Sequence, residues 1–257
     1  MSRTVEAPVK AKSSWYSGRV GQQTQMVRWG HFGRPVLLYP TAGGDAEEIE
    51  RMLMIKVLSP LIEAGRIKVY SVDSLAARAW GDTSKSARYC TALQNGFDGY
   101  IYNEVVPAIR ADCDDPTIEV VAAGASIGAF NALASICRHP DVFCQAICLS
   151  GTYDVERFIR DHDGEPLKRM DPDFYFSSPL HYLPRLGESK QLSLLRQRSI
   201  RFAHGGGRWE DPKQDWAMAR ILGSKGVPNR VDPWGDDYDH DWPTWRTMMP
   251  KYLSEVE

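Results

Sequence analysis

The sequence lacks any run of about 18 apolar residues, the length a membrane-spanning helix requires. Its first fourteen residues, MSRTVEAPVKAKSS, carry Lys and Arg but no apolar block of the secretory type. These absences predict a soluble, cytoplasmic protein with no membrane partner. Charge of one sign is nowhere concentrated: 31 basic and 33 acidic residues are spread along the chain for a formal net charge of -2. No electrostatic footprint for nucleic acid results, so no nucleic-acid partner is expected. Cysteine is sparse. Cys90, Cys113, Cys137, Cys144 and Cys148 are odd in number and form no CxxC pair, so reduced thiols are expected rather than disulfides, and no metal site is expected. No repeat of 20 to 50 residues and no low-complexity tract occurs, which sets solenoid folds aside.

What is present is alternation. Short apolar runs bounded by Gly, Pro or Asp occur at Pro35 to Tyr39, Ile67 to Val72, Thr117 to Ala123, Phe143 to Leu149 and Ser199 to Ala203, with another apparent strand at Asn229 to Trp234. Near-continuous Val/Ile/Leu runs of this length suit strands covered on both faces. Between them, Ala46 to Ala64, Ala87 to Ile109, Ile127 to Arg138, Pro212 to Lys225 and Trp242 to Leu253 have helical period, with Pro107 expected to end or kink the second. The βαβα order predicts an α/β fold: one mostly parallel sheet with helices on both faces, opened by an antiparallel hairpin over Trp15 to Trp29. With 257 residues, 43% hydrophobic and 25% charged, the chain is expected to form a flexible segment 1–14 and a single domain 15–257. The stretch 154–198, rich in Asp, Pro and aromatics and without strong period, is expected to leave the sheet and wall the site.

Chemistry enters at Gly124-Ala125-Ser126-Ile127-Gly128, a G-x-S-x-G pattern. Five residues of this kind arise often by chance, but here they follow the apolar run TIEVVAA and open the helical segment IGAFNALASICRH. A sharp strand-to-helix turn holds a serine hydroxyl out at the carboxyl edge of the sheet and at a helix N-terminus, which favours developing negative charge. The plain alternative is that the glycines serve close packing and Ser126 caps the helix.

In an α/β-hydrolase the acid and then the histidine follow the nucleophile in sequence. Of six histidines, His31 precedes Ser126, His139 ends the helix after it, and His162 lies in the charged stretch RDHDGE. His181, His204 and His240 remain. His240, in WGDDYDHDWPTW between the last strand and the last helix, has the position of the general base. One oxyanion N–H is expected from Ile127, after the nucleophile, and the other from the turn Pro40-Thr41-Ala42-Gly43-Gly44, at Ala42 with Thr41 as alternative.

The segments LLYPTAGGDAEE, GASIGAFNALASICRHPDVF, LSGTYDV, FSSPLHYLP and DHDWPTW together resemble the esterase family that includes esterase D (S-formylglutathione hydrolase) and the mycolyltransferase-like enzymes. The resemblance spans about Trp15 to Leu253. It implies an α/β-hydrolase fold, a Ser-acid-His triad and small-molecule ester or thioester substrates, and it places the acid in GGGRWEDP, at Glu210 or Asp211. Pro212 suits the first helical position and Asp211 the N-cap before it, where its carboxylate would accept first-turn N–H groups; Glu210 is then free to serve as the acid. The expected protein is a serine carboxylesterase needing no cofactor, with homo-oligomer formation left open. Two other readings fit the same residues: acyl transfer to an alcohol or sugar, and a catalytically silent hydrolase fold used for binding.

Overall fold

The computed structural model describes residues 9–82, 84–154 and 172–256. An eight-stranded sheet runs in the order β1-β2-β4-β3-β5-β6-β7-β8. Its strands are β1 (Lys10–Ser17), β2 (Gln22–Trp29), β3 (Arg34–Tyr39), β4 (Ile67–Val72), β5 (Val120–Ala125), β6 (Phe143–Leu149), β7 (Ser199–His204) and β8 (Asn229–Pro233). β1 and β2 pair antiparallel, as do β2 and β4. All other pairings are parallel. This is the mostly parallel α/β sheet expected from the alternation, in the α/β-hydrolase form that the family resemblance implies.

The apolar runs are near-continuous because both faces are covered. Val36 and Leu38 of β3, with Val121, Ala123 and Ala125 of β5, pack on one face against α2 (Met54–Glu63) and α11 (Trp242–Ser254). Leu37, Tyr39, Val120 and Ala122 pack on the other, where α4 (Ala87–Tyr100), α5 (Val106–Asp112), α6 (Ile127–Arg138) and α10 (Pro212–Ser224) lie. Strand order reverses at β3, whose neighbours β4 and β5 lie on opposite sides. The crevice beyond the carboxyl ends of β3 and β5 is therefore the topological switch point, where open α/β sheets bind ligands.

Four expectations about elements are corrected. Residues 10–14, expected to be flexible, lie in β1: the hairpin begins at Lys10, whose ammonium bonds Glu47 and Glu50, while Lys12 bonds Glu47 at 2.7 Å. Residues 1–8 lie outside the described residues. The helix expected over Ala46 to Ala64 is two, α1 (Glu48–Arg51) and α2, broken at Leu53, which has φ 63°. Pro107 does not end its helix; the chain passes from α4 through a π turn at Ile101–Val105, where the Val106 N–H donates to Ile101 O, into α5, with Pro107 in its first turn. β5 begins three residues later than Thr117, because the Asp115 carboxylate accepts from Thr117 N–H and Oγ1 at 2.8 and 2.7 Å and holds that residue in a turn. A further helix, α3 (Leu75–Gly81), was not anticipated.

In the 154–198 stretch, the described part holds short helices α7 (Pro172–Ser177), α8 (Pro179–Tyr182) and α9 (Lys190–Leu195). Residues 155–171, with His162 and part of the expected wall, lie outside the described residues. All five cysteines are free thiols. Burial pushes the Cys137 and Cys148 thiols up. No helix among the described residues is long and apolar enough to cross a membrane.

Candidate active site

Ser126 sits between the last residue of β5 and the first of α6 with φ 56° and ψ −123°. A non-glycine residue there is strained by roughly 1–3 kcal/mol, a cost that persists only where surroundings impose it. Here the Ser126 N–H donates to Leu149 O at 2.9 Å, and Ser126 O accepts from Ala129 N at 3.1 Å and Thr152 N at 3.3 Å. The two glycines of the motif are required by close approach rather than by their own φ. A methyl on Gly124 would collide with the backbone of Gly128, and one on Gly128 would sit 2.7 Å from the carbonyl oxygens of Tyr39 and Pro40. The start of α6 is thereby pressed onto the end of β3 and Pro40, from which the turn 41–44 continues.

His240 Nε2 lies 3.0 Å from Ser126 Oγ. On the other side of the ring, Nδ1 is buried and faces Glu210 Oε2 at 3.6 Å. That is longer than a formed hydrogen bond; such contacts are often long in an unliganded site and tighten as charge develops on the imidazole. The Glu210 side chain is only 2% exposed. Its Oε1 accepts from Ser150 Oγ at 2.6 Å and from Gly205 N at 3.2 Å, and Ser150 Oγ in turn accepts from Trp245 Nε1 at 3.0 Å. These donors saturate one carboxylate oxygen and aim the other at the ring. Trp245 also meets the His240 ring edge-on, with centroids 5.2 Å apart.

Asp211 is the N-cap residue of α10 with Pro212 behind it, as expected, but its carboxylate takes no backbone cap bond. At φ −130° and ψ 75° it accepts instead from the Gln214 side-chain amide at 3.1 Å. The same Gln214 accepts, through Oε1, from the N–H groups of Tyr153 and Asp154 at 2.7 and 3.0 Å.

The loop carrying Glu210 and the loop carrying His240 are joined along their length. Gly206 N donates to Gly235 O at 2.7 Å, Gly207 N to Tyr238 O at 3.1 Å, and His240 N to Arg208 O at 3.0 Å. Arg208 Nε and Nη2 both reach Asp239 Oδ2, at 2.9 and 2.8 Å. Sequence reasoning passed over Gly205-Gly206-Gly207, yet a methyl on Gly205 would fall onto the Tyr238 carbonyl, and one on Gly206 or Gly207 onto the Asp236 or Asp239 carboxylate. Gly205→Ala is expected to force the loops apart, costing about 1–3 kcal/mol of stability and most of the activity. Thermal melting together with steady-state turnover checks this, and a parent-like variant would show that the loops have slack.

Thr41 and Ala42 follow β3 as expected, but they are not equivalent. The Thr41 N–H donates to Glu48 Oε2 at 2.7 Å, whereas no hydrogen bond among the described residues engages the Ala42 N–H. The Ile127 N–H, at the first position of α6, has no intrahelical acceptor. The remaining described histidines lie elsewhere: His204 is buried with Nδ1 2.6 Å from Asp215 Oδ2, His181 Nδ1 is 2.9 Å from Ser178 Oγ, His139 pairs with Asp98, and His31 is exposed. Among the described residues, no cluster of His, Cys, Asp or Glu has the form of a metal site.

With this geometry in hand, comparisons with known proteins are informative. A family model described as "Putative esterase" matches residues 82–255. No curated protein sequence matches the chain. Among solved structures, a ferulic acid esterase superposes with a TM-score of 0.72 at 15% identity, covering 96% of each chain. An S-formylglutathione hydrolase from Agrobacterium tumefaciens gives 0.69 at 12% identity, covering 97% of this chain and 94% of that one. MPT51 of Mycobacterium tuberculosis gives 0.69 at 15% identity, covering 97% and 98%. At these identities the structural likeness speaks to the fold.

Proposed function

The chain belongs to this esterase family, and we propose that within it the protein is a serine carboxylesterase working through Ser126, His240 and Glu210. The observation that carries this reading is the 3.0 Å contact between His240 Nε2 and Ser126 Oγ at a strained strand-to-helix turn. In the first half-reaction His240 takes the Ser126 proton as Oγ bonds to the carbonyl carbon of the ester. The resulting oxyanion accepts from the N–H groups of Ile127 and Ala42. Collapse breaks the bond to the alcohol, which leaves with the proton from His240. Water then repeats the sequence on the acyl-enzyme, releasing the acid and restoring Ser126. Glu210 holds the ring orientation and offsets the imidazolium charge. No step requires a metal or an organic cofactor.

The substrate is a small-molecule carboxylic ester or thioester, in keeping with the ferulic acid esterase and S-formylglutathione hydrolase that share the fold. A panel of p-nitrophenyl esters of increasing acyl length, together with a simple thioester, tests it. Turnover of at least one, abolished by a serine-directed phosphonate bound at Ser126, is expected; inertness toward all of them would oppose this reading.

For the acid, Glu210→Gln is expected to lower kcat by about 10⁴-fold, because an amide cannot offset the imidazolium charge and favours the wrong tautomer. Asp211→Asn is expected to keep most of its turnover and to lose no more than about 1 kcal/mol, since its carboxylate meets the Gln214 amide rather than the helix N–H groups. Turnover and melting of both variants decide between them. The opposite pattern would make Asp211 the acid.

A further inference from the structure

Glu48 takes no part in the proton transfers above, yet its carboxylate reaches back from α1 into the turn that follows β3. Building on the acyl-enzyme reading, we propose that Glu48 is the positioning residue of the oxyanion-binding turn 41–44: it occupies Thr41 and leaves the Ala42 N–H aimed at the ester carbonyl on Ser126.

The Thr41 N–H donates to Glu48 Oε2 at 2.7 Å and the Thr41 hydroxyl to Oε1 at 2.8 Å, so the carboxylate grips one residue with both oxygens. Thr41 is thereby withdrawn as a donor to anything else. The next residues form a turn closed by Gly44 N to Thr41 O at 3.2 Å, with φ 76° at Gly43. That is the type II geometry, in which the N–H of the second residue, here Ala42, is left outside the turn's own bond. The far end of the turn is fixed as well. Arg78 donates to the carbonyls of Gly43 and Gly44 at 3.2 and 3.0 Å, and Ser74 N donates to Gly44 O at 3.0 Å. A methyl on Gly44 would meet the end of the same Glu48 carboxylate.

A carboxylate only accepts hydrogen bonds, so Glu48 cannot itself stabilise an oxyanion. Beside one it would repel. Its effect has to pass through the turn, as a fixed orientation of the Ala42 peptide before substrate arrives. Such preorganisation is worth most where charge develops, and small misplacements of a donor are costly.

The test uses the full chain with p-nitrophenyl acetate and with a trifluoromethyl ketone. Ser126 Oγ adds to the ketone carbonyl carbon, its proton passes to His240, and the former carbonyl oxygen becomes an oxyanion in the same position. Ala42→Pro deletes the N–H while keeping a residue that suits the second position of a type II turn, and a loss of 10² to 10³ in kcat is expected. Glu48→Ala is expected to lose about 10²-fold in kcat, with KM unchanged and the affinity for the ketone falling by the same factor. Glu48→Gln, which keeps one carbonyl acceptor, should fall between it and the parent. Parent-like kcat and ketone affinity in both Glu48 variants would overturn the proposal, as would a loss confined to KM or to melting temperature. Should Glu48→Ala fail to fold, Glu48→Gln carries the same paired readout. Retained turnover in Ser126→Ala is a separate result; it removes the acyl-enzyme premise, and the proposal falls with it.

Discussion

Ser126→Ala is expected to lower ester turnover on the order of 10⁶-fold, leaving the residual 10³ to 10⁴ over the uncatalysed rate that an oxyanion site and binding supply without a nucleophile. The size follows from what the change removes. In the proposed reaction acyl transfer depends on one oxygen, which lies 3.0 Å from His240 Nε2, and alanine offers no atom to form the acyl-enzyme. The fold has little stake in that oxygen. The turn is held by backbone bonds from Ser126 N to Leu149 O and from Ala129 and Thr152 to Ser126 O. Alanine keeps all of them and suffers the same strain at φ 56°, since that strain comes from Cβ, which both residues have. Melting should therefore stay close to the parent. A serine-directed phosphonate should add its mass to the parent at Ser126 and leave the variant unmodified. Turnover near the parent level, with contaminating esterase excluded, would end the proposal of Ser126 as nucleophile.

The parts of this molecule that were legible in the sequence are those decided locally. β3 and β5 read as strands because both of their faces are buried, which turns alternation into the runs Val36-Leu37-Leu38 and Val120-Val121-Ala122-Ala123. Ser126 stood out because strand, turn and helix adjoin it in the chain. The start of β1 was hidden for the opposite reason: KAKSS is polar apart from Ala11, and it is a strand because β2 pairs with it and Glu47 and Glu50 meet its lysines. The break at Leu53 was hidden by an apolar period that runs through Met52, Leu53 and Met54 without interruption. In the site, the family resemblance brought the acid to two adjacent carboxylates. Burial of Glu210 among Ser150, Gly205 and His240 is what distinguishes it, and that is a property of chain segments far apart in sequence. The same holds for Trp245, for the three glycines that let the acid and histidine loops touch, and for Glu48. Each acts through a partner that spacing alone does not reveal.

His240→Ala is expected to be as damaging as the serine change, about 10⁶-fold in kcat, because nucleophile and base act as one unit and losing either leaves the other idle. In the parent, activity should fall with a one-proton slope on acidification, since a protonated imidazole has no lone pair with which to take the Ser126 proton. The variant should lose that dependence along with its rate. His204 provides the control, being the other histidine close to this sheet edge. It is 3% exposed, ends β7, and holds Asp215 at 2.6 Å. Burial raises the Asp215 carboxyl to about 6 against the opposing pull of that hydrogen bond. Removing His204 strands a buried acid, so His204→Ala is expected to cost roughly 3–5 kcal/mol of stability while the folded fraction keeps its turnover. His240→Ala should do the reverse, because the ring is partly exposed and the loop stays tied through His240 N to Arg208 O, a bond the substitution leaves in place. Turnover per folded molecule, taken from the same samples whose melting is measured, separates the two. If the folded His204 variant is inactive and the His240 variant is not, the general base is His204.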